Sequence, residues 1–210
     1  MLIKVCGMRD LDNIRAVEQL GVDLMGFIFW DKSPRNVHDF QFPASTFQFR
    51  KVGVFVDEKL ENVIARVKDC HLDYIQLHGN ETPVYISSLR QHTTAKIIKA
   101  ISIREADDLK RWQEYDAFDK FGSRIVDMLL FDTKCRCIGG SGEQFDWTVL
   151  GQYDGDMPFL LSGGIGPDDA ERIKAFHHPK CIGIDLNSRF EDAPGLKNID
   201  KLRNFIKSLS

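Results

Sequence analysis

Short runs of apolar and β-branched residues recur along the whole 210-residue chain, separated by polar or glycine-bearing turns. "LIKVC" from Leu2, "LMGFIF" from Leu24, "VGVFV" from Val52 and "YIQLH" from Tyr74 are followed by "KIIKA" from Lys96, "MLLFD" from Met128, "FLLSG" from Phe159 and "CIGID" from Cys181. Their starts lie about 20 to 30 residues apart, which is room for one strand, one helix and two short loops. Between the runs the apolar spacing changes to that of helices. "DNIRAVEQLG" puts Ile14, Val17 and Leu20 on one face and stops at Gly21, and "EKLENVIARVKDC" does the same with Leu60, Val63, Ile64 and Val67. "PDDAERIKAF" opens on Pro167 and two acids and turns basic later, as helix ends prefer, and "NIDKLRNFIKSL" follows in the same manner. The segment "HDFQFPASTFQF" breaks the series, because Pro43 and its aromatic density allow only a short or irregular helix.

Near-continuous apolar strands are those buried on both faces, as in a parallel sheet covered by helices. Eight of them alternating with helices predict an α/β fold, a single-domain (β/α)8 TIM barrel over residues 1–210, for which this length is near the minimum. A doubly wound open sheet would have fewer strands and a polar edge. No linker or low-complexity segment divides the chain.

Composition narrows the function without naming it. The chain is 43% hydrophobic and 28% charged with a net charge of -3, which gives no electrostatic footprint for nucleic acid or an anionic membrane surface. Any anionic ligand has to be held locally. The N-terminus "MLIKVCGM" does not read as a signal peptide, and no apolar run reaches the ~20 residues of a membrane span. Five scattered cysteines without an export signal point to a reduced, cytoplasmic protein.

In a barrel of this kind chemistry gathers at the C-terminal strand ends. That rule collects Cys6 after the first strand, His78 after the fourth, Asp132 after the sixth, Gly163 and Gly164 after the seventh and Asp185 after the eighth, with Arg35 beyond the second. Each has a plainer reading. A cysteine at a strand end is often a small buried hydrophobe, the aspartates can cap helices or pair with lysine, Arg35 can be a solvated charge, and His78 reads as a structural hydrogen-bonding group. Gly163 and Gly164 resist that treatment, since they free backbone N–H groups ahead of a helix, and Asn187 and Ser188 after the last strand can add donors. Loops after strands seven and eight are the usual phosphate site of the fold, so a phosphate ester is the expected substrate. Between strands six and seven, Cys135 and Cys137 stand beside the turn Gly139-Gly140-Ser141-Gly142. A metal or thiol site there would need a second cysteine pair that the spacing lacks.

Taken in order, "IKVCGM", "GVDLMGFIFWDKSPRNV", "VGVFVD", "LDYIQLHGNE", "LLFDTK" with "GGSGEQFDW", "PFLLSGGI" and "GIDLNSRFEDAPGLKNIDKL" resemble the phosphoribosylanthranilate isomerase family of tryptophan biosynthesis, almost end to end. The resemblance implies a cofactor-free Amadori rearrangement on a small phosphosugar, with no metal, no nucleic-acid or membrane partner, and a monomer or homodimer. It implies Cys6 as general base and Asp132 as general acid, with Arg35 facing the anthranilate and Asp185 near the ribose. Gly163, Gly164, Asn187 and Ser188 are implied around the phosphate, and Gly139, Gly140 and Gly142 in a loop that closes over the substrate. Asp132 must be protonated to act, and Cys6 needs positive charge nearby to favour its thiolate; by strand alternation Lys4 shares its face. The chain departs from the family's "DxSSGxE" in reading "DLNSRFE", so that Arg189 replaces a glycine; its side chain is expected to point to solvent rather than add charge to the phosphate site. Among other phosphosugar barrels, a ribulose-phosphate epimerase would want metal ligands, and an indole-glycerol-phosphate synthase a catalytic lysine pattern not found here.

Overall fold

A computed structural model describes residues 1–37, 42, 47–133 and 147–209 of the protein. Eight parallel strands close into a barrel in sequence order: β1 (Leu2–Cys6), β2 (Leu24–Ile28), β3 (Arg50–Phe55), β4 (Tyr74–Leu77), β5 (Lys96–Ile103), β6 (Met128–Thr133), β7 (Phe159–Ser162) and β8 (Cys181–Leu186). The ring is closed by β1 against β8, with Lys4 opposite Asp185. Strand alternation divides the apolar residues into two separate cores. Val52, Val54, Ile98, Ala100, Leu130 and Leu160 fill the barrel interior, whereas Val5, Phe27, Ile75, Ile97, Phe131 and Phe159 point outward under the helices. Burying each such side chain contributes about 1.5–3 kcal/mol, so both faces of every strand are committed to the fold.

The helices begin and end where local chemistry sets them. In α1 (Leu11–Glu18) the Asp10 carboxylate accepts from the Asn13 N–H at 2.8 Å, and α3 (Pro83–Arg90) is capped by Thr82 with Pro83 at the first turn. Between them α2 (Leu60–Cys70) ends on His71 at φ 49°, a left-handed stop. The last helix, α6 (Ile199–Leu209), buries Leu202 and Phe205.

Among the described residues, 3₁₀ segments stand in two stretches where full helices are expected. After β5 there is only the four-residue α4 (Ala106–Leu109) and a 3₁₀ segment, Lys110–Tyr115, and a second 3₁₀ segment, Trp147–Gln152, precedes β7. Aromatic bulk does the covering instead. Trp112 meets Tyr153 edge-on with centroids 5.4 Å apart, and Tyr153 in turn packs edge-on against Phe131 and Phe159. Of the irregular stretch after the second strand, only Phe42 and residues 47–49 are described, and Phe42, Phe47 and Phe49 pack on the outer core around Phe27.

One irregularity decides where a functional side chain points. In β8, Phe159 pairs with Cys181 but Leu160 pairs with Gly183, so Ile182 is an extra residue in the register. Ile182 packs inside the barrel while Ile184 and Leu186 pack outside, and this phase shift leaves Asp185 facing inward beside Lys4.

Candidate active site

At the C-terminal end of the barrel lies a cavity of about 420 Å³, bounded by Cys6, Arg35, His78, Asp132, the Ser162–Ile165 turn and Asp185–Arg189. Seven of the sequence-derived positions, Cys6, Asp132, Arg35, Gly163, Gly164, Asp185 and Asn187, meet there, together with Ser188. Gly139, Gly140 and Gly142, with Cys135 and Cys137, lie outside the described residues. A second cavity, about 410 Å³, opens on the outer side of β7 and β8 near Phe176 and Cys181 and is mainly apolar. It carries none of the candidate acid–base pairs.

Space for the Cys6 thiol is made by its neighbour on the next strand. Cys6 pairs with Gly26, and a Cβ added at Gly26 would stand 2.7 Å from the sulfur. Gly7, at φ 78°, turns the chain sharply so that its own N–H and that of Met8 both donate to the Gly26 carbonyl. A side chain at Gly7 would strike Arg35 and Asn187, which pass directly over it.

Beneath the thiol sits Lys4, fully buried, with its Nζ donating to Asp185 Oδ1 at 2.9 Å; the other oxygen of Asp185 accepts from the Ser162 hydroxyl at 3.2 Å. Burial pushes the Cys6 thiol up; Lys4 and Lys197 pull it down and Asp185 pushes it up again, and the balance remains above the ordinary thiol value. The positive charge expected near Cys6 is therefore present, but it is opposed. Burial works against the Lys4 ammonium too, yet Asp185 and Cys6 together hold its pKa above that of an ordinary lysine.

Arg35 does not stand free in the cavity. Its Nε donates to Glu191 Oε1 at 2.9 Å and its Nη2 to Oε2 at 2.6 Å, a two-point clamp. Glu191 belongs to a small hairpin, β9 (Glu191–Ala193) and β10 (Leu196–Lys197), and also accepts from Lys197 Nζ at 2.6 Å. Lys197 reaches on to Asn187 Oδ1 at 2.8 Å. Burial disfavours the Glu191 charge, but the hydrogen bonds from Arg35 and Lys197 more than offset it and bring its carboxyl below the usual range. Neither Glu191 nor Lys197 was found by sequence reasoning, since a short hairpin beyond the last strand carries no periodic signal.

Around Gly163 and Gly164 the backbone is left-handed, at φ 94° and 67°, which favours glycine at both. The expected helix dipole is less useful than the sequence suggested. Only a 3₁₀ turn, Pro167–Asp169, and the six-residue α5 (Ala170–Ala175) follow, and the Gly166 N–H already donates to Asp169 at 2.7 Å. What borders the cavity at this end is the Gly163–Gly164 turn with Asn187, Ser188 and Arg189. Arg189 is exposed, as expected, yet it also borders the cavity, its Cδ lying over Gly166.

At the opposite wall Asp132, the sixth-strand carboxylate, stands 3.4 Å from His78 Nε2, and His78 Nδ1 lies 2.9 Å from Gln76 Nε2. The strand-end rule that collected His78 agrees with its position on the cavity wall. Alternation from Gln76, two residues earlier on the same face, gives the same placement. The loop bearing His78 is tied down from outside the barrel. Buried Lys99 donates to Leu77 O, Gly79 O and Glu81 Oε2, while Glu81 accepts from the N–H groups of Asp57 and Gly79. Among the described residues no group of three or more His, Cys, Asp or Glu side chains is arranged to hold a metal ion, and no helix is long and apolar enough to cross a membrane.

Comparison with known proteins agrees with this arrangement. The family model for N-(5'-phosphoribosyl)anthranilate (PRA) isomerase matches residues 3–208. The N-(5'-phosphoribosyl)anthranilate isomerase of Parabacteroides distasonis is 46% identical, covering 100% of this chain and 93% of its own. Among solved structures, the phosphoribosyl anthranilate isomerase from Thermotoga maritima superposes with a TM-score of 0.82 at 28% identity, over 100% of this chain and 98% of that one. A phosphoribosyl anthranilate isomerase in complex with reduced 1-(o-carboxyphenylamino)-1-deoxyribulose 5-phosphate gives 0.80 at 26% identity over the same shares. Closed parallel barrel, strand-end cavity and end-to-end match together show that the chain belongs to the N-(5'-phosphoribosyl)anthranilate isomerase family, the isomerases of tryptophan biosynthesis.

Proposed function

We propose that the chain, acting as one catalytic domain over residues 1–210, converts N-(5'-phosphoribosyl)anthranilate to 1-(2-carboxyphenylamino)-1-deoxyribulose 5-phosphate, with Cys6 as general base and Asp132 as general acid. The observation that carries this is the pairing of one thiol and one carboxylate, from β1 and β6, on the walls of a single cavity whose third side is the Gly163–Gly164 turn. Reaction begins when Asp132 gives a proton to the furanose oxygen as the C1–O bond breaks and its electron pair goes to oxygen. The nitrogen lone pair then forms the iminium, which acidifies the C2 proton. Cys6 removes that proton and the C–H electron pair becomes the C1–C2 double bond of an enolamine. Protonation at C1 with loss of the hydroxyl proton at C2 gives the ketone. Protons alone move, so the reading calls on no cofactor.

Lys4 and Lys197 supply positive potential for the thiolate as it forms, and Asp185 limits how far they do so in the resting site. Phosphate is assigned to the backbone of Gly163 and Gly164 with Asn187 and Ser188, and the ribose lies near Asp185. Arg35, already paired with Glu191, presents an oriented guanidinium toward the anthranilate. Gly139, Gly140 and Gly142 are assigned to a closing loop.

Turnover is followed by loss of substrate fluorescence. Cys6→Ala and Asp132→Asn are each expected to lower kcat by about 10³-fold or more, within the range for positioned acids and bases. Turnover within tenfold of the parent in either variant would overturn its assignment. Cys135→Ser with Cys137→Ser is expected to keep most of the activity.

A further inference from the structure

A general acid that gives up its proton in every cycle has to be refilled, and His78 stands beside Asp132. His78 Nε2 lies 3.4 Å from Asp132 Oδ2, and the His78 side chain is 29% exposed against 15% for Asp132. The imidazole is thus the more solvent-accessible member of the pair. Behind it, Gln76 is buried on the inner face of β4, with Nε2 2.9 Å from His78 Nδ1 and with Oε1 lacking a hydrogen-bond partner among the described residues. A buried carbonyl oxygen without a partner costs about 1–3 kcal/mol and calls for an explanation. Rotating the amide by half a turn supplies one, because Oε1 would then accept from a proton on Nδ1. One end of the amide suits a bare Nδ1 and the other a protonated one.

We propose that His78 is a proton relay to Asp132 and that Gln76, turned so that its Oε1 accepts from Nδ1–H, anchors the imidazole while its Nε2 proton comes and goes; this rests on the assignment of Asp132 as general acid. With the amide turned, Nδ1–H donates to Gln76 Oε1 throughout and Nε2 faces the carboxylate. After Asp132 has given its proton to the sugar oxygen, the imidazolium, held through Nδ1–H on Gln76 Oε1, passes its Nε2 proton to Asp132 Oδ2. Neutral imidazole remains, with its hydrogen on Nδ1, and Nε2 takes a new proton from solvent at its exposed edge. One N–H bond breaks and one O–H bond forms, and no electrons are gained or lost overall. The contact of 3.4 Å is long for a hydrogen bond, and catalytic contacts of this kind tighten in the substrate complex.

The test compares His78→Gln, His78→Gly and Gln76→Met with Asp132→Asn on the full chain. His78→Gln keeps a donor of similar reach but cannot relay. It is expected to lower kcat about 30- to 100-fold while KM stays within about threefold, a loss inside the range for positioned proton transfer. Added imidazole is expected to restore His78→Gly at least about tenfold and to leave the parent unchanged, and Gln76→Met should lose about five- to tenfold in kcat. An unaltered kcat in His78→Gln beside an inactive Asp132→Asn would overturn the relay and leave the acid assignment intact. So would a change confined to KM, which marks a substrate contact, or a failure of imidazole to rescue a folded His78→Gly. If Asp132→Asn itself turns over normally, the acid assignment fails and the relay with it.

Discussion

Of the three fully buried lysines among the described residues, Lys4 and Lys99 each lie 2.9 Å from a carboxylate, and they do different things because they lie on opposite faces of the sheet. Lys4 points inward from β1, pairs with Asp185 and shares its pocket with the Cys6 thiol. Lys99 points outward from β5, pairs with Glu81, and gives its remaining hydrogens to the carbonyls of Leu77 and Gly79. Burial lowers the pKa of Lys99 and the pull of Glu81 does not restore it, whereas Asp185 and Cys6 carry Lys4 past its ordinary value despite the same burial. Lys99 is thus a backbone tie with a charge to neutralise, and Lys4 is a charge kept for the thiol. A buried ion pair is weak evidence for stability by itself, and what each is for has to be read from its third partner.

Breaking the inner pair should have the larger effect on turnover. Lys4→Met removes the cation nearest Cys6 and leaves Asp185 buried without it, so kcat is expected to fall about 100-fold, as when a preorganised electrostatic partner is lost. The same change should lower stability by about 3–5 kcal/mol, the usual cost of orphaning one member of a buried pair. Turnover within threefold of the parent in folded Lys4→Met would mean that the inner lysine, too, is only structural.

Breaking the outer pair should be felt first in folding. Lys99→Met leaves Glu81 and two loop carbonyls unpaired and is expected to cost about 3–5 kcal/mol in urea unfolding, while Lys99→Met with Glu81→Leu regains much of it. Because the tie also holds the His78 loop, a kcat loss of only a few-fold is expected at temperatures where the variant is folded. A loss as large as that of Lys4→Met would erase the distinction between the two faces.

Gly26→Ala probes the inner side without touching a charge. Its Cβ would sit 2.7 Å from the Cys6 sulfur, so either the thiol turns away or the strands part. Overpacking of this kind costs about 1–3 kcal/mol. Activity should drop about tenfold, the cost of misplacing a reacting group by a fraction of an ångström. An unchanged kcat would show that the sulfur need not occupy the space Gly26 leaves.

These contrasts follow what the sequence made legible. Seven of the eight strand starts, Leu2 to Cys181, coincide with those read from apolar runs, because a strand buried on both faces has a hydrophobic signature that loops cannot imitate. Cys6 and Asp132 follow from the strand-end rule. Inward and outward could not be read for β8, since the extra residue at Ile182 reverses the phase just before Asp185. A repeated βα unit leads one to expect helices after β5 and before β7, whereas the described residues there, with Trp112, Tyr115 and Trp147, include 3₁₀ segments. Lys99 lies within the run "KIIKA", and only the fold brings Glu81, from the preceding loop, within 2.9 Å of it.

The smallest expected effect separates the two lysines most cleanly, because it has opposite sign in the two. Native Lys4 holds its proton more tightly than an unfolded lysine, so the stability it supplies is whole below the unfolded pKa of about 10.4 and is lost as pH rises through the higher native value. Native Lys99 holds its proton less tightly. Between its lowered native pKa and about 10.4 the unfolded chain binds more protons, so stability rises with pH across that window and levels off above it. Urea midpoints measured from about pH 8 to 11 for the parent, Lys4→Met and Lys99→Met isolate each slope by difference. The gap between parent and Lys4→Met should shrink above about pH 10.4, whereas the gap between parent and Lys99→Met should widen on the approach to it. Parallel curves would mean that the two buried ammonium groups feel the same field, and the division between a catalytic inner lysine and a structural outer one would have to be given up.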